Sequence, residues 1–158
     1  VLERDQRHGI HLSRDTAASV RGILELRMGL ETQAAALAAK RRTAEQLLQM
    51  RQALDDHQDS LANNDSSVEP DLRFHRLIAQ ATGNTYFTDI IAQLGRSAIP
   101  RTRINSEERG DADLEQLGQM AVLEHEAIWR AIRRQDPDAA RAAMLLHLSN
   151  SLERMAGE

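Results

Sequence analysis

The sequence contains no cysteine, so disulfides and thiolate metal sites are excluded, and any bound metal must be held by histidine, aspartate or glutamate. Aromatic residues make up only 3% of the chain, and its 158 residues include 3 prolines and 8 glycines. Because helix breakers and strand formers are scarce while Ala, Leu, Arg, Glu and Gln are abundant, the composition predicts an all-α fold. The length suits one domain with its own hydrophobic core.

Long hydrophobic runs and an excess of positive charge are absent as well. There is no run of 18 apolar residues and no export signal, so we expect no membrane span and a cytoplasmic location. The net charge of -4 argues against nucleic-acid binding by this domain alone, because such binding depends on basic patches that neutralise phosphates. The sequence opens at Val1 without an initiator methionine, which suggests an excised fragment.

Helical periodicity divides the chain into about six helices. Residues 1–15 are polar and aperiodic and are interpreted as a linker remnant, whose His8 and His11 are not expected to bind metal; residues 16–158 form the domain. Short signals mark the helix ends. They are a capping box at Thr43 and Gln46, a loop over 63–69 before Pro70, Gly83-Asn84 after the third helix, Pro100 where the fourth helix kinks or ends, an acidic loop over 106–113 and Asp136-Pro137 before the sixth.

An aspartate and a histidine stand four residues apart on the third predicted helix. This spacing places Asp71 and His75 on one face, about 40° and about 6 Å apart, within reach of one ion. An exposed polar pair at a helix start is the simpler interpretation. His125 and His147 each lie on an apolar face of a later helix, where a core histidine is the default. Together the four supply hard or borderline ligands suited to Zn²⁺, Ni²⁺ or a similar divalent ion.

Cations and a further histidine occupy the predicted buried faces. Arg27 interrupts the apolar face of the first helix. It either forms an ion pair with Glu31 at i+4, extends its guanidinium to the edge of the face, or meets an anionic ligand as a buried cation. Arg101 lies on the extrapolated face of the fourth helix, where it either solvates the helix end or reaches inward. His57 shares the apolar seam of the second helix and is interpreted as a partly buried core residue.

Four segments together resemble a known family. They are L-E-L-R-M-G-L-E (24–31), D-L-R-F-H-R-L-I-A-Q-A-T-G-N (71–84), E-H-E-A-I-W-R-A-I-R-R-Q-D-P-D-A-A-R-A-A-M (124–144) and H-L (147–148). In this order and spacing the chain, from about residue 16 to 155, is similar to the FCD domain, the C-terminal effector domain of FadR-subfamily GntR transcription regulators. The resemblance implies an antiparallel bundle of about six helices around a central metal and ligand cavity.

The resemblance also implies the site. Carried over residue by residue, the metal ligands of the family correspond to Asp71, His75, His125 and His147, and its cavity-facing arginine on the first helix corresponds to Arg27. We expect a divalent metal, foremost Zn²⁺, with Ni²⁺ or Mn²⁺ as alternatives. The winged helix with which such regulators bind operator DNA is missing from this sequence.

The expected function is metal-dependent sensing of a small organic acid in a homodimeric bacterial regulator. The effector carboxylate would meet the metal, Arg27 and Arg101, while operator DNA would be bound only through the missing N-terminal domain. The rival is a metal-dependent hydrolase on a helical bundle, since Zn²⁺ on three histidines and a carboxylate can activate water. Against it, four protein ligands leave less room for a reactive water, and no spare carboxylate has the spacing of a general base. A plain helical interaction module with core histidines is the third alternative.

Overall fold

The computed structural model describes residues 17–63, 65–102 and 111–156 of the chain, with side chains described over 20–63, 65–95 and 115–154. Within these ranges the secondary structure consists of six α-helices and no strands, which confirms the all-α prediction. The helices are α1 (Ala17–Arg41), α2 (Ala44–Ala62), α3 (Val68–Ala81), α4 (Thr85–Thr102), α5 (Asp111–Arg133) and α6 (Pro137–Ala156). The predicted linker, with His8 and His11, lies outside the described residues.

Local signals in the sequence set several helix ends. At the start of α2 the Thr43 hydroxyl accepts from the Gln46 backbone N–H at 3.1 Å, and the Gln46 side-chain oxygen accepts from the Thr43 N–H at 3.0 Å. Gly83, with φ +70°, follows α3 and supplies the left-handed turn that glycine adopts without strain. At the start of α6 the Asp136 carboxylate accepts from the Ala139 N–H at 3.0 Å. These three predictions are confirmed.

Three predicted boundaries differ from the structure by a few residues. Helix α3 begins at Val68, so Pro70 lies inside its first turn, where its missing N–H has no helical partner to lose. Helix α4 continues through Pro100 to Thr102, because a proline one turn from the end removes a single helical hydrogen bond. Helix α5 begins at Asp111, inside the predicted acidic loop, of which residues 106–110 lie outside the described residues.

The six helices form a closed ring of contacts. In ring order α1 packs against α6, α6 against α5, α5 against α2, α2 against α3, α3 against α4, and α4 against α1, while α1 also contacts α3 and α5. Arg141 donates to Gln33 at 2.7 Å and the Ser149 hydroxyl lies 3.8 Å from the Met28 sulfur, so α6 runs antiparallel to α1. None of the described helices combines the length and apolar character needed to cross a bilayer.

The core consists of two hydrophobic clusters that follow one another along α1. The larger cluster contains four fully buried alanines of α1, which let the neighbouring helices approach closely. The smaller cluster contains Val20, Ile23 and Leu24 of α1 and Leu94 of α4. Arg27 and Glu31 lie between the two clusters in the sequence of α1, and both are buried. The bundle therefore places a layer of polar side chains inside its apolar core.

Candidate metal centre

Buried polar side chains from five helices meet in the middle of the bundle, and we call this set the polar layer. Its members are Arg27 and Glu31 on α1, His57 on α2, Asp71 and His75 on α3, His125 on α5 and His147 on α6. Burying so many polar groups is unfavourable unless each group finds a partner. The contacts between these side chains therefore indicate which chemical role the polar layer can have.

Asp71 and His75 both point into the polar layer. Their side chains are 12% and 2% exposed, so the interpretation of an exposed polar pair at a helix start is excluded. The Asp71 Oδ1 atom lies 3.9 Å from His75 Nε2 and 3.3 Å from Nε2 of His125 on α5. One turn of α3 thus brings a carboxylate and an imidazole to a common point.

His125 and His147 complete this point from the opposite side of the bundle. Their Nε2 atoms lie 3.1 Å apart, and His125 is fully buried. Each of His75, His125 and His147 offers a ring nitrogen, and these three nitrogens lie within 4.8 Å of one another. The fold therefore brings the three predicted histidine ligands and the predicted aspartate together. His125 is the common neighbour, since its Nε2 atom lies close to both His147 and Asp71.

Two of the separations between the donor atoms match those around a metal ion. Neighbouring donors about 2.0–2.1 Å from a divalent ion lie about 2.9 Å apart at octahedral angles, which leave further positions open, and about 3.3 Å apart at tetrahedral angles. The distances from His125 Nε2 to His147 Nε2 and to Asp71 Oδ1 are 3.1 Å and 3.3 Å. The buried His75 Nε2 has no hydrogen-bond partner among the described residues, as expected of a nitrogen whose lone pair serves a metal. The residues present therefore fit a divalent ion.

Two carboxylates orient two of the imidazoles. Glu31 of α1 contacts His75 Nδ1, and Glu124 of α5 contacts His147 Nδ1 at 2.7 Å. A carboxylate only accepts hydrogen bonds, so each Nδ1 carries a proton, and in the neutral imidazole each Nε2 keeps its lone pair. Metal-binding histidines commonly donate their second ring N–H to such an outer carboxylate. Both histidines are thus held in the tautomer that a metal at Nε2 requires.

Each orienting carboxylate is itself held by a cation. Arg27 Nε donates to Glu31 inside α1, and both side chains are buried. Arg154 donates to the two oxygens of Glu124 at 2.9 Å and 3.0 Å, and the Asn150 amide donates to Glu124 at 2.7 Å. The predicted Arg27–Glu31 ion pair is therefore present. The buried Arg27 Nη2 atom has no hydrogen-bond partner among the described residues.

Electrostatics keep the two orienting carboxylates, Glu31 and Glu124, charged and His125 neutral. Burial alone would raise the pKa of Glu31, but Arg27 and His75 hold it well below its ordinary value. Burial also opposes ionisation of Glu124, but the hydrogen bonds that it accepts from α6 lower its pKa to about 2. Burial lowers the pKa of His125 well below its ordinary value, and the neighbouring imidazoles lower it further. His125 is therefore neutral at pH 7, which is the state of a metal ligand.

Arg101, the second predicted effector contact, has only its backbone within the described part of the chain, near the end of α4. Its side chain lies outside the described residues, so its contact with an effector stays a prediction. The central ligand cavity expected from the sequence also stays a prediction.

The sequence did not predict how three residues take part in the polar layer. Glu31 was considered as the ion-pair partner of Arg27, and its contact with His75 joins two helices that are far apart in the sequence. Glu124 was given no role, because its contact is with His147 on the next helix and not with its sequence neighbour His125. His57 is fully buried rather than partly buried, and its ring centroid lies 5.5 Å from that of His125.

Comparison with known proteins identifies the family of this bundle. The model of the FCD domain matches residues 22–150. The transcriptional repressor NanR of Cronobacter sakazakii is 34% identical over 132 residues, which cover 80% of this chain and 47% of the repressor. NanR of Escherichia coli K12 is 33% identical over 127 residues, which cover 80% of this chain and 46% of that protein. The chain thus spans about half the length of the curated relatives it matches.

Solved structures share the arrangement of helices. GntR of Streptococcus agalactiae superposes with a TM-score of 0.76 at 27% identity, covering 92% of this chain and 63% of that one. McbR/YncC of E. coli also superposes with a TM-score of 0.76, covering 90% of this chain and 70% of that one; its 17% identity supports the fold alone. The curated relatives are named as transcriptional repressors, in agreement with a regulatory domain rather than an enzyme. The chain belongs to the FCD family, the C-terminal effector-binding domains of GntR-family transcription regulators.

Proposed function

We propose that this domain senses a small organic acid through a divalent metal held by Asp71, His75, His125 and His147. The observation that carries the proposal is the convergence of their donor atoms in a buried layer, with 3.1 Å between the Nε2 atoms of His125 and His147. The outer carboxylates support it, because they fix the Nε2 lone pairs of His75 and His147 toward the same point.

The donor set favours Zn²⁺, with Ni²⁺ or Mn²⁺ as alternatives, because three imidazoles and one carboxylate are hard or borderline ligands and no thiolate competes. When bound, the metal would offer open coordination positions to a carboxylate oxygen. The surrounding residues would exclude water, since all four ligands are buried. A carboxylate that enters such a layer needs a strong cationic partner to offset its desolvation.

Among the described side chains, Arg27 is the cation best placed to assist. Its Nε is committed to Glu31, whereas its buried Nη2 has no hydrogen-bond partner among the described residues. A guanidinium group presents several donors in a fixed fork, so one donor can hold Glu31 while another meets an effector oxygen. We assign Arg27 the role of an effector contact, with Arg101 of α4 as a second candidate.

The complete regulator would use this domain to control DNA binding. The matched residues cover less than half of the relatives, which are named as HTH-type repressors. We propose a cytoplasmic homodimer in which operator DNA is bound by an N-terminal domain, and effector binding here changes the spacing of the two DNA-binding heads.

Small carboxylates should raise the melting temperature of the metal-loaded domain. A ligand at 100 times its dissociation constant stabilises the folded state by about 2.7 kcal/mol through mass action. We would screen hydroxy acids, dicarboxylates and sugar acids by thermal shift, before and after chelation. The primary alcohol that corresponds to each active acid is the matched control and should give no shift. Shifts that survive removal of the metal from an intact apo fold would show that the metal does not anchor the ligand.

The isolated domain should not bind operator DNA. Its net charge is -4, and phosphate neutralisation supplies much of the affinity of DNA-binding proteins. A fusion with a GntR-type winged-helix domain ahead of Val1 should bind that domain's operator in a gel-shift or anisotropy titration at physiological salt. Nanomolar, sequence-specific binding by the unfused chain would contradict the assignment.

A further inference from the structure

Glu31 gives its two carboxylate oxygens to two different partners. The Oε1 atom accepts from Arg27 Nε, and the Oε2 atom contacts His75 Nδ1. All three side chains are buried, with Glu31 only 1% exposed, so water does not compete for either oxygen. The contact with His75 links α1 to α3 across 44 positions of sequence.

The chemistry of the two partners fixes the proton on His75. Arginine has no acceptor, so the oxygen that faces Arg27 cannot be exchanged for an amide nitrogen without placing donor against donor. The other oxygen accepts, so His75 Nδ1 must be the protonated nitrogen. In the neutral imidazole the Nε2 atom, 3.9 Å from the Asp71 carboxylate oxygen, then keeps its lone pair on the side of the proposed ion.

We propose that Glu31 is a positioning residue that sets the tautomer of His75 and so makes helix α1 part of the metal centre. The expected effect on metal affinity rests on the proposed function. The effect on the tautomer of His75 does not, because it can be measured in the metal-free protein. Because the Arg27 guanidinium holds one of the two terminal side-chain atoms of residue 31, and requires an oxygen there, only the other atom can face His75.

The Glu31→Gln variant separates this role from ordinary packing, because glutamine has nearly the same shape. Arg27 would retain the single amide oxygen, which leaves the NH₂ group facing His75 Nδ1. The Nδ1 atom of His75 would then have to accept a hydrogen bond from the amide. The ring proton would move to Nε2, where it prevents metal binding. Replacing Arg27 as well, in Arg27→Met Glu31→Gln, frees the amide oxygen to turn toward His75. The double variant should therefore restore the original tautomer.

The test uses ¹⁵N-labelled histidine and long-range ¹H–¹⁵N NMR on the metal-free domain at neutral pH. We expect His75 as the Nδ1–H tautomer in the parent chain, as Nε2–H in Glu31→Gln and as Nδ1–H again in the double variant. Zn²⁺ affinity, measured by competition with a chromogenic chelator, should fall 10- to 100-fold in Glu31→Gln, as is typical for loss of an outer-shell partner. The double variant should recover at least part of this loss.

Helix α1 offers a matched control in Arg21 and Glu25, an ion pair with the same i,i+4 spacing. Both side chains of this pair are exposed, and Arg21 Nε lies 3.3 Å from Glu25 Oε1. Glu25→Gln should change neither the tautomer of His75 nor the affinity for Zn²⁺. If Glu31→Gln does not fold, the double variant and the single variant Arg27→Met are compared with the parent, and both should keep the Nδ1–H tautomer.

The outcomes distinguish this inference from the proposed function. A tautomer switch in a chain that binds no metal would support the role of Glu31 and overturn the metal centre. An unchanged Nδ1–H tautomer in folded Glu31→Gln would overturn the inference, whatever the metal content of the parent chain. An Nε2–H tautomer in folded Arg27→Met, which retains the Glu31 carboxylate, would overturn it as well.

Discussion

Replacing His125 with alanine should reduce metal affinity more than any change in the outer carboxylates. Its Nε2 is the donor atom that lies 3.1 Å from His147 Nε2 and 3.3 Å from Asp71 Oδ1, so its loss removes the ligand that links the others. Loss of an outer-shell partner typically costs about 10- to 100-fold in affinity, and loss of this direct ligand should exceed that range. The measurement is a competition titration of the metal-free variant with Zn²⁺ and a chelator of known affinity.

The matched control is His57→Asn, because His57 is an equally buried histidine of the polar layer. His57 lies near Asp71 and His125, and a ligand atom from each of the three lies within 4.8 Å of the other two. In the proposed site, however, His57 is not a ligand, so His57→Asn should keep one metal per chain. A loss of affinity in His57→Asn equal to that in His125→Ala would mean that the ligand set has been assigned wrongly.

Arg27→Met should strongly destabilise the metal-free domain. The Arg27 and Glu31 side chains are only 3% and 1% exposed, and removing one partner leaves the Glu31 carboxylate buried without its cation. Breaking a buried ion pair in this way costs about 3–5 kcal/mol in free energy of unfolding. For a domain of this size, that corresponds to a decrease of roughly 10 °C in melting temperature. Urea unfolding and calorimetry of the apo protein measure both quantities.

The control is again the exposed pair on α1. Arg21→Met should change the free energy of unfolding by less than about 1 kcal/mol, since exposed ion pairs contribute little. Arg27→Met Glu31→Gln should be more stable than Arg27→Met alone, because it removes the unpaired buried charge. Equal, small losses in Arg27→Met and Arg21→Met would contradict the buried ion pair on which the polar layer depends.

The sequence predicted the helices well because their ends are encoded locally. The capping box of Thr43 and Gln46 and the N-cap Asp136 each involve groups within three residues of one another, so their hydrogen bonds follow from spacing. The boundary at Pro100 was less predictable, because the cost of a proline depends on how many turns follow it. Burial of Asp71 could not be predicted from the sequence, because an aspartate in the first turn of a helix is favourable whether it is buried or exposed to water.

The proposed metal ligands were singled out from the sequence, but the residues that support them were not. Asp71 and His75 share a helix face, and His125 and His147 occupy apolar positions, so residue type and periodicity single them out. The contact of Glu31 with His75 depends on how closely α1 approaches α3, which is set by packing rather than by local pattern. The same holds for Glu124 and His147, which meet only once α5 and α6 pack antiparallel.

The metal content of the purified domain tests the central claim most directly. The protein would be dialysed against metal-free buffer and analysed by inductively coupled plasma mass spectrometry, alongside the His75→Ala His125→Ala His147→Ala triple variant. We predict close to one divalent ion per parent chain and almost none in the triple variant. A parent chain that is folded yet binds no divalent metal after incubation with Zn²⁺, Ni²⁺ or Mn²⁺, or a triple variant that retains full occupancy, would contradict the metal centre.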